Sequence, residues 1–161
     1  MKIKVIGFLL FSLFFIGCSS KDVLKLNDAI VKANDELRVA SDSFNVKMDK
    51  IKDGDYTTLE NERIAMTRLI ELKCEEIEKM NADMPGGKVF KEAFIDYYKF
   101  EKDIYSTEYK EICSLKGEKA DERLIEIANK MQDKAEKEDR LEANIHTQQQ
   151  NFAKKNNLKL Q

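Results

Sequence analysis

His146 is the only histidine of the 161-residue chain. Glu142 precedes it by four residues, so on a helix the two share a face and could offer two ligands to a metal ion. Helical bundles that hold paired metals use Glu-x-x-His motifs from two helices, and this sequence contains none. A single histidine without a nearby nucleophile leaves no material for a Ser-His-Asp or Cys-His arrangement. We therefore read His146 as a solvated side chain beside Glu142. Carboxylates are abundant, as in Glu75, Glu76 and Glu78 or Glu136, Glu138 and Asp139, but interleaved lysines mark these as solvated helix faces. Asp53-Gly54-Asp55 lacks the ligand spacing of a calcium loop and reads as a turn. There is no glycine-rich phosphate loop. The expectation is a protein with no catalytic residues, no cofactor and no metal site, and not an enzyme.

The thiols carry more information. Cys18 follows Lys2, Lys4, an apolar run from Val5 to Ile16 in which Ser12 is the one polar residue, and Gly17; Ser19-Ser20-Lys21 comes after it. Two positive charges, a short apolar run and a small residue are the three parts of a secretory signal. The run is well short of the roughly 20 apolar residues that span a bilayer. With a cysteine at its end, the segment resembles the lipobox of bacterial lipoproteins, although Phe15 and Ile16 depart from its usual aliphatic and small residues. The resemblance covers residues 1–20 only. It implies that residues 1–17 are cleaved, that the Cys18 thiol receives a diacylglyceryl group, and that its new amine is acylated, with palmitate a typical chain. Acylation at two or more positions holds a protein stably on a membrane, because each buried methylene adds about 0.8 kcal/mol. The resemblance also implies an outer-membrane place in the cell envelope, because Ser19 stands where many such lipoproteins carry an Asp that retains them in the inner membrane, with the periplasmic or surface-exposed face left open.

Cys74 and Cys113 are permitted a disulfide in such an oxidising compartment. Measured from the turn at Pro85, however, their heights in an antiparallel hairpin differ by about 25 Å at helical rise. A disulfide requires α-carbons roughly 4.4–6.8 Å apart, so two buried thiols are the expectation.

Composition points to long helices. Tryptophan is absent, one proline is present, and charged residues make up 36% of the chain. The net charge is −2, and no block of Lys or Arg suggests a nucleic-acid surface. From Val23 the apolar positions run Leu26, Ile30, Ala33, Leu37, Ala40, Phe44, Met48 and Ile51, a heptad-like stripe. Asp53-Gly54-Asp55 ends it, and Thr57 with Glu60 reads as a capping box for the next helix. That helix carries Leu59, Met66, Leu69, Ile70, Ile77 and Met80, and stops before Pro85-Gly86-Gly87. The third opens near Lys88 and is aromatic, with Phe90, Phe94, Tyr97, Tyr98, Phe100, Tyr105 and Tyr109. After Gly117 the fourth runs from about Glu118 to Phe152, thin in apolar residues between Lys134 and Arg140.

Short connections make successive helices antiparallel. The expected fold class is all-α: an antiparallel four-helix bundle with long helices and heptad-like packing. Its expected parts are the signal peptide at 1–17, an anchor and tether at 18–22, the bundle at 23–153 and a polar C-terminal tail at 154–161 that frays. Tyr98, Tyr105 and Tyr109 step by seven and four along one side of the third helix, a stripe suited to an interaction surface; the competing reading places them in a widened core. The expected function is a membrane-anchored, non-enzymatic binding or scaffold module whose partner is another envelope protein, with self-association open and no nucleic acid. The alternative is a small-ligand or metal carrier with a pocket between helices lined by Phe90, Phe94 and Tyr97.

Overall fold

The apolar stripe beginning at Val23 folds as one helix, α1 (Lys21–Met48), in a computed structural model that describes residues 21–51, 53–117 and 119–158. The signal-like segment with Cys18 and the last three residues lie outside the described residues. α1 buries Val23, Leu26, Ile30, Ala33, Leu37, Phe44 and Met48 of the stripe read from the sequence, while Ala40 is half-buried and Ile51 lies beyond the helix end. It also buries a polar row spaced by seven: Asn27, Asn34 and Ser41. Asp55, the residue after Gly54, caps a 3₁₀ turn (Tyr56–Leu59) by accepting the Thr57 amide at 3.2 Å. The expected Thr57–Glu60 capping box does not form. The Thr57 hydroxyl donates to Asp55, and the Glu60 carboxylate instead takes both Arg63 Nε and an Arg63 terminal nitrogen at 2.7 Å. Ionic partners on both sides outcompete the neutral cap.

α2 (Glu60–Glu78) returns antiparallel to α1. Lys73 reaches Glu36 of α1 at 2.6 Å, and Lys47 of α1 pairs with Glu62. The α2–α3 connection depends on two glycines. Gly86 has φ +78, which side chains rarely adopt, and a Cβ there would stand 3.5 Å from the Phe152 backbone. A Cβ on Gly87 would meet the Ala82 carbonyl oxygen at 2.7 Å, so the chain cannot reverse this tightly with anything larger.

α3 (Gly87–Ser106) is the central helix, packed mainly against α2 and α5 and also touching α1. The third helix expected from sequence is interrupted: Thr107, at φ −115 and ψ −81, separates α3 from the short α4 (Glu108–Ile112). The Thr107 hydroxyl donates to the Asp103 carbonyl at 2.7 Å, which eases the break without glycine or proline. Gly117, at φ +92, then turns the chain into α5 (Ala120–Lys155), a helix about 54 Å long at standard rise. Of the expected frayed tail at 154–161, residues 154–158 are instead ordered. Asn157 is left-handed at φ 53, the Leu158 amide donates to Ala153 O at 2.9 Å, and Leu158 is buried. That is a Schellman stop with its apolar contact, and Asn156 fastens it to the Pro85 carbonyl at 2.8 Å. The fold is an all-α antiparallel bundle of four long helices joined by short connections.

Candidate functional site

The tyrosine stripe is not a surface. Tyr98, Tyr105 and Tyr109 are 0%, 1% and 1% exposed. Phe44 of α1 packs edge-on against both Tyr105 and Tyr109, at 5.6 and 5.0 Å between ring centres, while those two tyrosines stack at 4.6 Å. The Tyr105 hydroxyl donates to Ser41 Oγ at 3.3 Å. The physical reason is the central position of α3: a helix with neighbours on two sides must be apolar on two sides. The expected pocket lining is likewise occupied. Phe152 of α5 stacks on Phe90 at 4.8 Å, Phe94 meets Phe90 edge-on at 5.3 Å, and Tyr97 is buried.

The unexpected feature lies between α3 and α5. Glu101, four residues after Tyr97 and three before Ile104, falls on the core side of α3 and is 1% exposed. Across from it, α5 turns inward Met131, Glu138, Ile145 and Phe152, each seven residues apart. Glu138 thus occupies a core position of its heptad row. Glu142 is half-buried one turn further on. The thin middle of the fourth helix is therefore a packed layer of acids. Burial pushes the Glu101 carboxyl well above its ordinary range, with the charges of Glu138 and Glu142 adding to it and a hydrogen bond from Tyr97 opposing. Burial, then Glu142 and Asp139, raises Glu138 to about 7. Burial first, then Asp139, raises Glu142 as well. One Glu101 oxygen and the Tyr109 hydroxyl are buried with no hydrogen-bond partner. A protonated carboxyl is the form that such surroundings tolerate, since burying an ionised one without a counter-charge is expensive.

Linkage gives this layer a measurable consequence. An acid whose native value is raised holds its proton where the unfolded chain has released it, so stability falls as pH climbs through that interval. For Glu138 the interval runs from the ordinary value of 4.5 to about 7. Glu36, Glu60 and Glu62 are held below their ordinary range by hydrogen bonds to Lys73, Arg63 and Lys47. Their contribution is present above 4.5 and lost on acidification below it. Thermal melts should therefore peak near pH 5 and decline by several degrees toward pH 8. A melting temperature that rises over that range would contradict the buried-acid layer.

The remaining sequence candidates are inert. Cys74 and Cys113 are free thiols; burial pushes the first up to about 11 and the second up to about 12. Neither has the thiolate character that nucleophilic or redox chemistry needs. His146 is exposed on α5. No group of three or more His, Cys, Asp or Glu side chains among the described residues is arranged to hold a metal ion. No described helix is long and apolar enough to cross a membrane.

An open apolar groove of about 200 Å³ runs between α1 and α2, lined by Ala40, Ser43, Phe44, Ala65, Met66 and Leu69 with Glu62 at one end. Exposed Val39 and Val46 on α1 and Leu72 on α2 belong to the same two helices. The Lys73–Glu36 and Lys47–Glu62 pairs join those helices at positions flanking the groove. This groove was missed in the sequence because its floor belongs to residues counted as core. Neither a protein-family model, nor a curated protein, nor a solved structure matches this chain.

Proposed function

We propose that the protein is an envelope lipoprotein, anchored through lipidated Cys18, that works as a non-enzymatic binding or scaffold module. The observation that carries this reading is the position of Cys18. It stands three residues before Lys21, the first described residue of α1, and three residues reach at most about 10 Å, so the anchor is held close to the bundle. The end of the bundle that contains the α1 start, the α2–α3 turn and the Schellman stop then rests near the lipid. The α1–α2 groove is the face we assign to a partner, because the buried tyrosines are unavailable and the groove lining is apolar and open. The partner is another envelope protein presenting an apolar ridge that fits between two helices.

The anchor and the face are tested separately. Intact mass of the protein extracted from membranes should exceed that of the polypeptide from Cys18 onward by the lipid groups, and Cys18→Ser should leave the membrane fraction. An unmodified Cys18 would end the lipoprotein reading. For the face, chemical crosslinking on intact membranes should trap one protein with the wild type and with Ile125→Glu, an exposed apolar site on α5. Ala65→Glu, at an exposed position of the groove lining, should abolish that product. Equal capture by all three would remove the groove from the proposal.

A further inference from the structure

The acid layer divides α5 into two unequally fastened halves. Before Glu138 the helix is held by polar contacts as well as packing: Tyr56 donates to Asp121 at 3.3 Å, Arg123 pairs with Glu111, and Lys134 bridges Asp103 and Glu108 at 2.8 and 2.9 Å. Ile127 and Met131 are buried beneath these. After Glu138 the helix is held by Ile145, Gln149, Phe152 and Ala153, all on the α3 side, and by the Asn156 contact to Pro85. Among the described residues, the ion pairs that tie α5 to α3 and α4 come from Arg123, Lys130 and Lys134.

The charged and titratable groups at the junction come from every helix packed there, and exposed His146 lies one turn beyond Glu142 on α5. From α5, Glu138 and Glu142 act on Glu101, and Asp139 acts on both of them. From α3, Tyr97 hydrogen-bonds Glu101, and Tyr105 feels its charge, as does Tyr109 of α4. Ser41 of α1 is neutral and engaged by Tyr105, while Arg38 pairs with Asp42 on its own helix. Arg63 of α2 is spent on Glu60 and the Tyr105 carbonyl. Lys134 is occupied as above, and Lys137 sits over the Phe100 ring at 5.0 Å. The acids thus act on one another across the seam, and none of the described cations is paired with Glu101 or Glu138.

We propose that the second half of α5, from Glu138 to Lys155, is a proton-dependent strap that lies on α3 while Glu101 and Glu138 are protonated and lifts when both ionise. Each carboxyl releases its proton to water, and the two negative charges left across a dry seam repel. Hydration of both requires the two helices to part at the seam, and the half of α5 beyond the Arg123, Lys130 and Lys134 pairs is the half that yields. Lifting uncovers Phe90, the α3 ring on which Phe152 stacks in the closed state. The inference rests on the seam alone and stands independently of the membrane anchor.

Hydrogen exchange read by mass spectrometry on the purified full-length chain in detergent tests it, with rates corrected for the intrinsic effect of pH. Between about pH 5.5 and pH 8, peptides from 139–155 should lose about tenfold or more in protection. Peptides from α1, α2 and the first half of α5 should keep theirs. The Glu101→Gln/Glu138→Gln double variant, whose amides imitate protonated acids, should hold the strap closed at both pH values. Glu138→Gln alone, at the less buried acid, should at least halve the pH effect in the same peptides, and serves if the double variant folds poorly. Uniform loss of protection across all helices would overturn the strap, as would an unchanged 139–155 segment or a pH effect that survives both variants.

Discussion

Phe94→Asp is expected to abolish the cooperatively folded state, and Leu37→Asp to do the same from another helix. Phe94 is 2% exposed and Leu37 0%. Removing a buried aromatic ring of this size costs about 3–5 kcal/mol in lost burial and cavity formation together. The aspartate must in addition be buried ionised without a partner, or be protonated at further expense. A domain of this size has about 5–15 kcal/mol in total, so the two effects together exhaust it. Phe94 is also the ring that Phe90 and Tyr98 both meet edge-on, at 5.3 and 6.1 Å, so its loss loosens the α3 contacts with α2 and α5 together. Circular dichroism and a urea titration at about pH 7 would check this. A sigmoidal transition at the wild-type midpoint for either variant would mean that the side chain reaches solvent and that the helix register is wrong.

Much of the bundle is legible in the sequence, and the reasons differ by element. α1 is read almost residue for residue because a helix with one buried side shows a plain heptad stripe. The Gly86-Gly87 reversal is legible because positive φ and close backbone approach leave glycine as the residue of choice. α3 is harder. Its two packed sides put Phe94 and Tyr98 both inside, and a one-sided reading assigns the second set to solvent. The α3–α4 break carries no glycine or proline, only a threonine hydroxyl that satisfies the Asp103 carbonyl.

The candidate site was hidden for a related reason. Glutamate is read as surface by its chemistry, so Glu101 and Glu138 look like two more members of solvated faces. What identifies them is position: Glu138 continues the row of Met131, Ile145 and Phe152, and Glu101 lies between Tyr97 and Tyr105 at four-residue steps. Each row alone reads as a tolerated defect. Only the antiparallel register of α3 and α5, with Phe90 against Phe152, places the two defects at one height. The apolar poverty between Lys134 and Arg140 was the visible trace of that layer, and the register converts it from a weak spot into a feature of the core.

Replacing Tyr98 and Tyr105 with serine should be nearly as damaging as a core charge, which separates a buried row from an exposed one. Tyr98 is fully buried beside Phe94 and Tyr97, and Tyr105 is wedged between Phe44 and Tyr109. Each truncation leaves a cavity worth about 3–5 kcal/mol and buries a new hydroxyl as well. The double variant should then be unfolded, or retain helix without a cooperative melt. Tyr105→Phe keeps the ring contacts and gives up only the hydrogen bond to Ser41, so its loss should be about 1 kcal/mol. The contrast matters more than either value. If the serine variant melted within a few degrees of the wild type, the tyrosines would face water, α3 would have one buried side, and Glu101 would leave the core with them.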